Sequence, residues 1–357
     1  MDRPERPERV IVLYNTDYGA GSGAPGDAAP GDAAPADAAA VEPAARAICA
    51  ALAATGYTAE LVGLHGTDAL EVLAELRRRR PDLVFNLCES MAGDARNEPT
   101  LAGLLDLYGV PYTGTDLLGL ASCLHKQRTK EILAARSVAT PPYRYLPDPD
   151  ALGEPALDAL DYPWFVKLVH EDASIGITEQ NVVRSGAALR ARAAELMREH
   201  RQGVLAERFV EGREVNVTLL GNGRAPRVLP LHEIDFSAMP GERPRIVSYA
   251  AKWDEAHVDY AGTPVVPLQG ATPALIAAIE ATARAAWAAL GLRDYGRVDL
   301  RIDAAGVPWV IDVNPNCDLS PDAGVARAAA AAGLSHAALI DEIARTAWRR
   351  IRSQIRD

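Results

Sequence analysis

Four cysteines among 357 residues, Cys49, Cys88, Cys123 and Cys317, stand far apart with no CxxC pair, which gives no local spacing for a zinc site or a redox dithiol. Reduced, mostly buried thiols of a cytoplasmic protein are expected. No run approaches the roughly 20 apolar residues that a membrane-spanning helix needs. The charged start "MDRPERPERVIVLY" also lacks the apolar stretch and cleavage site of a signal peptide. A basic stripe is missing as well: 37 Lys and Arg face 48 Asp and Glu, a formal net charge of -11, which argues against nucleic acid or an anionic membrane as the main partner. What remains is an ordinary globular composition, 48% hydrophobic and 24% charged, long enough for two or three domains and suited to small-molecule partners.

Residues 1–118 alternate strand and helix signals. "RVIVLY", "TAELVGL", "DLVFNL" and "VPYTG" read as strands, while "VEPAARAICAALAATGY", "ALEVLAELRRRR" and "TLAGLLDLYG" read as helices, so an open α/β sheet is predicted. The Pro/Gly/Ala/Asp segment at 19–40, with its imperfect PGDAA repeat, reads as a flexible loop. Its GxGxxG match at Gly21, Gly23 and Gly26 is followed by prolines where a helix would have to begin, which argues against a dinucleotide fingerprint. Beyond 118 come one helix over "SCLHKQRTKEILAARS", strands around "WFVKLV", "VLAERFV", "EVNVTLL" and "RVLPLHEI", a helix "TPALIAAIEATARAAWAALG", a hairpin, and a last helical stretch from Val325 to Ile351. Strands and helices are partly segregated there, which predicts α+β units.

The hairpin "RVDLRIDAAGVPWVIDVNPN" carries the first chemistry. Val298, Leu300 and Ile302 alternate with Arg297, Asp299 and Arg301; after the turn Trp309, Ile311 and Val313 alternate with Val310, Asp312 and Asn314. Pairing across a turn near Ala305 brings Asp299 toward Asp312 and Asn314, a repulsive arrangement unless a cation sits among them. Oxygen donors of this kind suit Mg²⁺, which takes one or two carboxylates and leaves other positions for water and phosphate. A solvated strand face is the alternative. In "WFVKLVHEDASIGI", Lys167 lies inside an apolar run before a small-residue loop, so it either meets an anion or snorkels to water. Glu207 and Glu214, at strand ends in "AERFVEGRE", carry no signal by themselves.

The order of Lys126 in "CLHKQRTK", Lys167 in "FVKLV", "AERFVEGRE", "GRVDLRID" and "VIDVNPN" resembles the ATP-grasp superfamily, in particular enzymes similar to D-alanine:D-alanine ligase. "GVPYTG" and the "KW" of Lys252 and Trp253 fit the same order, and no Walker A sequence competes for a nucleotide. The resemblance implies an α/β N-terminal substrate domain at 1–118 followed by α+β ATP-grasp subdomains at 119–205 and 206–357. It implies an ADP-forming carboxylate–amine ligase working through an acyl phosphate, with ATP and Mg²⁺ or Mn²⁺ as cofactors and a homodimer as the assembly. Carried over by position, Lys126 and Lys167 would hold the α- and β-phosphates, with Ser174 in the lid above them. Glu207, Phe209 and Val210 would meet adenine, Glu214 the ribose, and Asp299, Asp312 and Asn314 the metal ions. Lys252 would reach the γ-phosphate and Arg297 the oxyanion.

Where such ligases hold their first substrate, this sequence departs. Residues 15–40 lack the "EREVS" glutamate motif, Ala173 replaces the lid serine, and Trp253 replaces a tyrosine of the closing loop. The "NTxPG" segment is altered to "NPNCDLSPDAG", which places Asp318 and Ser320 where a substrate carboxylate would arrive. Cys88, Glu89, Arg96 and Glu98 in "NLCESMAGDARNEPT" are candidate substrate groups or plain loop surface. ATP activation with changed small amino-acid or carboxylate and amine substrates is the expectation. The alternatives are a D-alanine:D-alanine ligase of cell-wall synthesis and a non-catalytic nucleotide-binding regulator.

Overall fold

The computed structural model describes residues 6–17 and 36–354. The GxGxxG match at 21–26 and most of the expected loop lie outside them. In the first unit, β1 (Arg9–Asn15), α1 (Ala36–Ala54), β2 (Thr58–Leu64), α2 (Ala69–Arg79), β3 (Leu83–Asn86) and α3 (Glu98–Tyr108) follow one another, so α1 takes in the last residues of that segment. The strands pair in parallel in the order β2-β1-β3. Val10 and Val12 of β1 pack on one side and Ile11 and Leu13 on the other, as a parallel sheet covered on both faces requires. The strand expected at "VPYTG" reduces to one bridge between Val84 and Tyr112. Gly114, at φ +91°, turns the chain away there, and its amide goes to the Asp294 carboxylate at 2.9 Å.

The second unit contains α4 (Leu117–Leu124), α5 (Lys126–Ala135), β4 (Tyr143–Leu146), β5 (Trp164–Leu168), β6 (Val182–Val183), α6 (Gly186–His200) and β7 (Val204–Arg208). Its antiparallel sheet runs β4-β7-β5-β6. The single helix expected over "SCLHKQRTKEILAARS" is two, because His125 leaves helical geometry at ψ 86°. Lys126 then opens α5 with its amide bonded to the Val169 carbonyl. The expected boundary between 205 and 206 falls inside β7. Pairing with β4 and β5 keeps Ala206–Arg208 in this sheet.

The third unit holds β8 (Arg213–Gly221), β9 (Arg227–Val228), β10 (His232–Ile234), α7 (Tyr249–Trp253), α8 (Val258–Ala261), β11 (Val265–Pro267), α9 (Pro273–Leu290), β12 (Asp294–Ile302), β13 (Pro308–Asn314), α10 (Gly324–Ala331) and α11 (His336–Gln354). Its sheet runs β11-β10-β8-β12-β13, with β9 on β8. The last helical stretch is thus two helices, broken near Gly333 at φ +80°. Among the described residues α9 alone is long and apolar enough to cross a membrane by composition, yet Ile279, Ala283, Ala286, Trp287 and Leu290 form a stripe buried against the sheet. α11 returns to the first unit, where Leu339, Ile340, Ile343 and Ala347 share one core with Val10, Val12 and Phe85.

One buried carboxylate joins the first and third units. Asp294 is fully buried and accepts from the Gly114 amide, from Asn222 Nδ2 at 3.0 Å and from Arg350 Nη2 at 2.8 Å. Replacing it by alanine leaves the Arg350 guanidinium buried without its partner, a loss of about 3 to 5 kcal/mol of stability. Urea unfolding of Asp294→Ala tests this, and an unchanged midpoint would refute it.

Candidate active site

The β12–β13 hairpin pairs Arg297 with Asn314, Val298 with Val313 and Asp299 with Asp312, and then shifts register, so that Leu300 faces Val310. Ile311 is the extra residue of a bulge. The strict alternation expected through β13 is therefore re-phased: Val310, not Ile311, is the buried residue of that turn. The bulge does not disturb the acidic pair. Asp299 Oδ2 accepts from Asn314 Nδ2 at 3.1 Å and Oδ1 from Asn216 Nδ2 at 2.8 Å, while Arg297 forks onto both oxygens at 2.8 and 2.9 Å.

From the second unit, three lysines reach this strand. Lys167 Nζ donates to the Ile311 carbonyl at 2.9 Å and pairs with Glu207 at 2.8 Å. Lys130, which the sequence reading passed over, contacts the other Glu207 oxygen, Thr140 and the Val310 carbonyl. Lys126 Nζ lies 2.6 Å from Asp172 and 3.5 Å from Asp312. Burial alone would raise the Asp312 carboxyl, but Lys126, Lys167 and Arg297 hold it down at about 2. Glu207 is likewise lowered, since its two lysines outweigh its burial.

The lid loop and the α7 loop are bonded to each other. Trp253 Nε1 donates to the Ala173 carbonyl at 3.2 Å, Ser174 Oγ to the Val247 carbonyl at 3.0 Å, and the Tyr249 amide to the Ile177 carbonyl at 3.0 Å. Lys252 has no acidic side chain at pairing distance among the described residues. The residue itself is exposed, and desolvation by the protein around it, then the positive charge of Arg297, shift its ammonium downward.

Toward the far end, Arg301 Nη1 pairs with Glu214 at 3.1 Å, and its guanidinium lies 4.9 Å from the Phe209 ring centre. Phe209 and Arg301 line one wall of a cavity of about 690 Å³, with Gly212, Arg243 and Arg245 around it. Val210 is buried nearby in sequence. Asp318 is exposed and closes a turn on Ser320, accepting from its amide at 2.8 Å and its hydroxyl at 2.5 Å. Both bonds use Asp318 Oδ1, and among the described residues neither side chain bonds to the charged cluster. Glu98 does reach the hairpin exit: its Oε1 accepts from Asn316 Nδ2 at 3.0 Å.

Two strand-borne carboxylates, a fork of cations and an adjoining aromatic-walled cavity are what a nucleoside triphosphate with divalent metal asks for. The comparisons agree. Residues 133–345, more than half of the chain, match the family described as D-ala D-ala ligase C-terminus. The chain belongs to the D-Ala–D-Ala ligase family. It is 34% identical over 285 residues to a D-alanine–D-alanine ligase of Chromohalobacter salexigens, covering 78% of this chain and 82% of that one. An uncharacterized protein, y4sG, of Sinorhizobium fredii is 33% identical over 272 residues, 76% of each chain. The Bacillus anthracis D-alanine–D-alanine ligase solved with ATP superposes at a TM-score of 0.73 with 20% identity, covering 97% of this chain and 99% of that one, a likeness of fold. This family member is an ADP-forming ATP-grasp ligase that makes carbon–nitrogen bonds, with ATP and Mg²⁺ as cofactors.

The residues present fit those cofactors. No cluster of three or more His, Cys, Asp and Glu occurs among the described residues. The two carboxylates and one amide of Asp299, Asp312 and Asn314 instead form the partial oxygen set that suits a metal sharing its positions with phosphate. Besides Lys130, the sequence reading missed Asp17, whose Oδ2 accepts from the Gly66 amide at 2.8 Å while its buried Oδ1 has no partner among the described residues. "KQRTK" did carry a signal for Lys130: the spacing of Lys126 and Lys130 puts both on one helix face.

Lys167→Ala should weaken ATP binding by about 1.5 to 3 kcal/mol, the worth of a charge-assisted hydrogen bond. A dissociation constant within twofold of the parent would show a purely structural lysine. Asp312→Asn should abolish ADP release while leaving the protein folded, with a melting temperature somewhat lowered, because an isostere keeps the strand but removes a charge that Lys126, Lys167 and Arg297 favour. Full activity at saturating Mg²⁺ would remove Asp312 from the metal set.

Proposed function

We propose that this ligase joins small amino acids or carboxylates to an amine other than D-alanine to D-alanine, with Lys126 and Lys167 on the inner phosphates, Lys252 on the γ-phosphate and Arg297 on the oxyanion. Asp299, Asp312 and Asn314 are proposed metal ligands, Glu207, Phe209, Val210 and Glu214 the nucleoside cradle, and Ser174 part of the lid. Bound ATP supplies the phosphoryl group that activates the carboxylate, and Mg²⁺ neutralises the phosphate oxygens. The chain's own part is positioning, charge stabilisation and exclusion of water by the joined lid and α7 loop.

The observation that carries the changed specificity is the Trp253–Ala173 contact. An indole bonded to a backbone carbonyl supports closure without a side-chain hydroxyl at either position, so neither of these two positions offers the substrate one. Asp17 is a proposed partner for a substrate ammonium. It stands past the carboxyl end of β1, where the order β2-β1-β3 reverses, and open α/β sheets bind ligands at such a point. A cytoplasmic homodimer belongs to the same proposal.

With ATP, Mg²⁺ and millimolar D-alanine, ADP release should stay near background, while a panel of other amino-acid pairs should contain one that releases ADP and yields a product of the condensed mass. Missing polar partners in such a site lower discrimination and rate by several kcal/mol. Robust D-alanyl-D-alanine formation would return the protein to the activity named for its relatives.

A further inference from the structure

Most carboxylates around the nucleotide end of the cleft are paired with a cation. Asp172, Glu207, Glu214, Asp299 and Asp312 each lie against a lysine or arginine. Glu98, at the start of α3 and 8% exposed, lies against none among the described residues. Its Oε1 is fixed by Asn316, whose side chain is itself held from two more sides: Nδ2 also donates to the Cys88 carbonyl at 3.0 Å, and Oδ1 accepts from Tyr295 at 2.7 Å. Oε2 makes no hydrogen bond among the described residues. Asn316 stands two residues beyond Asn314, so the unpaired carboxyl is held beside the exit of the hairpin that carries the acidic pair.

A buried carboxylate without a cation is disfavoured unless something arrives to meet it. The amine substrate of a carbon–nitrogen ligase comes as an ammonium, which cannot attack until it gives up a proton. We propose that Glu98 Oε2 is the acceptor of that proton; the proposal rests on the ligase reading above. Glu98 takes one proton from the ammonium, and the freed nitrogen lone pair forms the C–N bond at the activated carboxyl carbon. The C–O bond to phosphate then breaks, its electron pair leaving on the phosphate, which also takes the second nitrogen proton.

The surroundings suit a base working near neutrality. Burial, with Asp172 adding repulsion against the Asn316 bond, pushes the Glu98 carboxyl up to about 8. The other titratable groups that feel its charge, Cys88, Cys123 and Tyr295, are buried and themselves raised by that burial, so they stay neutral in the same range. Because the deprotonated form is the active one, amide formation should rise as pH rises through the Glu98 value.

Glu98→Gln separates this role from a structural one, since its amide oxygen can still accept from Asn316 but cannot take up a proton. Parent and variant are assayed with ATP, Mg²⁺ and a panel of amino acids, first with an amine acceptor and then with hydroxylamine, which is already unprotonated at neutral pH. The expected result is an unchanged melting temperature, hydroxamate formation within about twofold of the parent, and amide formation lower by about 10²- to 10⁴-fold, the worth of a general base. The rising limb of the pH profile should also move up to the range of the amine itself. Amide formation at the parent rate, or a parallel fall of hydroxamate and amide, would overturn the role of Glu98. A parent that forms no hydroxamate with any acid would overturn the ligase reading, and this inference with it.

Discussion

Backbone carbonyls on the open edge of a sheet must find donors, and on β13 the donors are side chains of the second unit, one from a helix, one from a loop and one from a strand. Lys130 and Thr140 bond the Val310 carbonyl, Lys167 bonds the Ile311 carbonyl, and the Val310 amide is taken by Ala139. The bulge at Ile311 takes that residue out of the pairing with β12. The rest of the site depends on this seam. It holds Lys130 and Lys167 of the second unit against the strand that carries Asp312, so these cations and the acidic pair come from different units yet share one backbone reference.

Most of the charges at the nucleotide end of the cleft are paired internally. Lys126 answers Asp172 and Asp312, Lys130 and Lys167 share Glu207, Arg297 forks onto Asp299, and Arg301 meets Glu214. Each buried ion would be costly alone, and pairing offsets most of that cost. On the proposed assignments a phosphate would compete with Asp172 for Lys126, and a divalent ion with Arg297 for Asp299. Binding would then be an exchange of counterions, which would let a strongly charged ligand enter without a strongly charged empty site.

The sequence made this half legible because strand alternation has a period that eyes can follow. "RVDLRID" and "VIDVNPN" predicted the pairing of Asp299 with Asp312, and the order of Lys126, Lys167, Glu207 and the hairpin predicted the fold. What escaped depended on single-residue departures from regularity. A bulge re-phased β13 and exchanged Ile311 for Val310 in the core, and His125 broke a helix that composition alone would continue. The boundary placed at 205 missed because a strand's membership is decided by its partners. Asp17 and Asn316 had no local pattern, since their partners lie far along the chain: Gly66 for one, Cys88, Glu98 and Tyr295 for the other.

The nucleotide side of the cleft is built on strands, whereas the side expected to hold substrate is built on loops, and this division explains how one can vary while the other persists. Altering Lys167 disturbs two sheets at once, and altering Asp299 disturbs three strands of one sheet. In the lid, by contrast, Ala173 and Ser174 sit at φ +52° and +62°, a left-handed pair of non-glycine residues that costs of order 1 to 2 kcal/mol each and persists only if the surroundings enforce it. The surroundings here are the α7 loop: an indole on the Ala173 carbonyl, a hydroxyl on the Val247 carbonyl, an amide on the Ile177 carbonyl. All three acceptors are backbone atoms, so the side chain at 173 is not needed to hold the loop shut. Selection on substrate can therefore act on that position without first solving the problem of closure again.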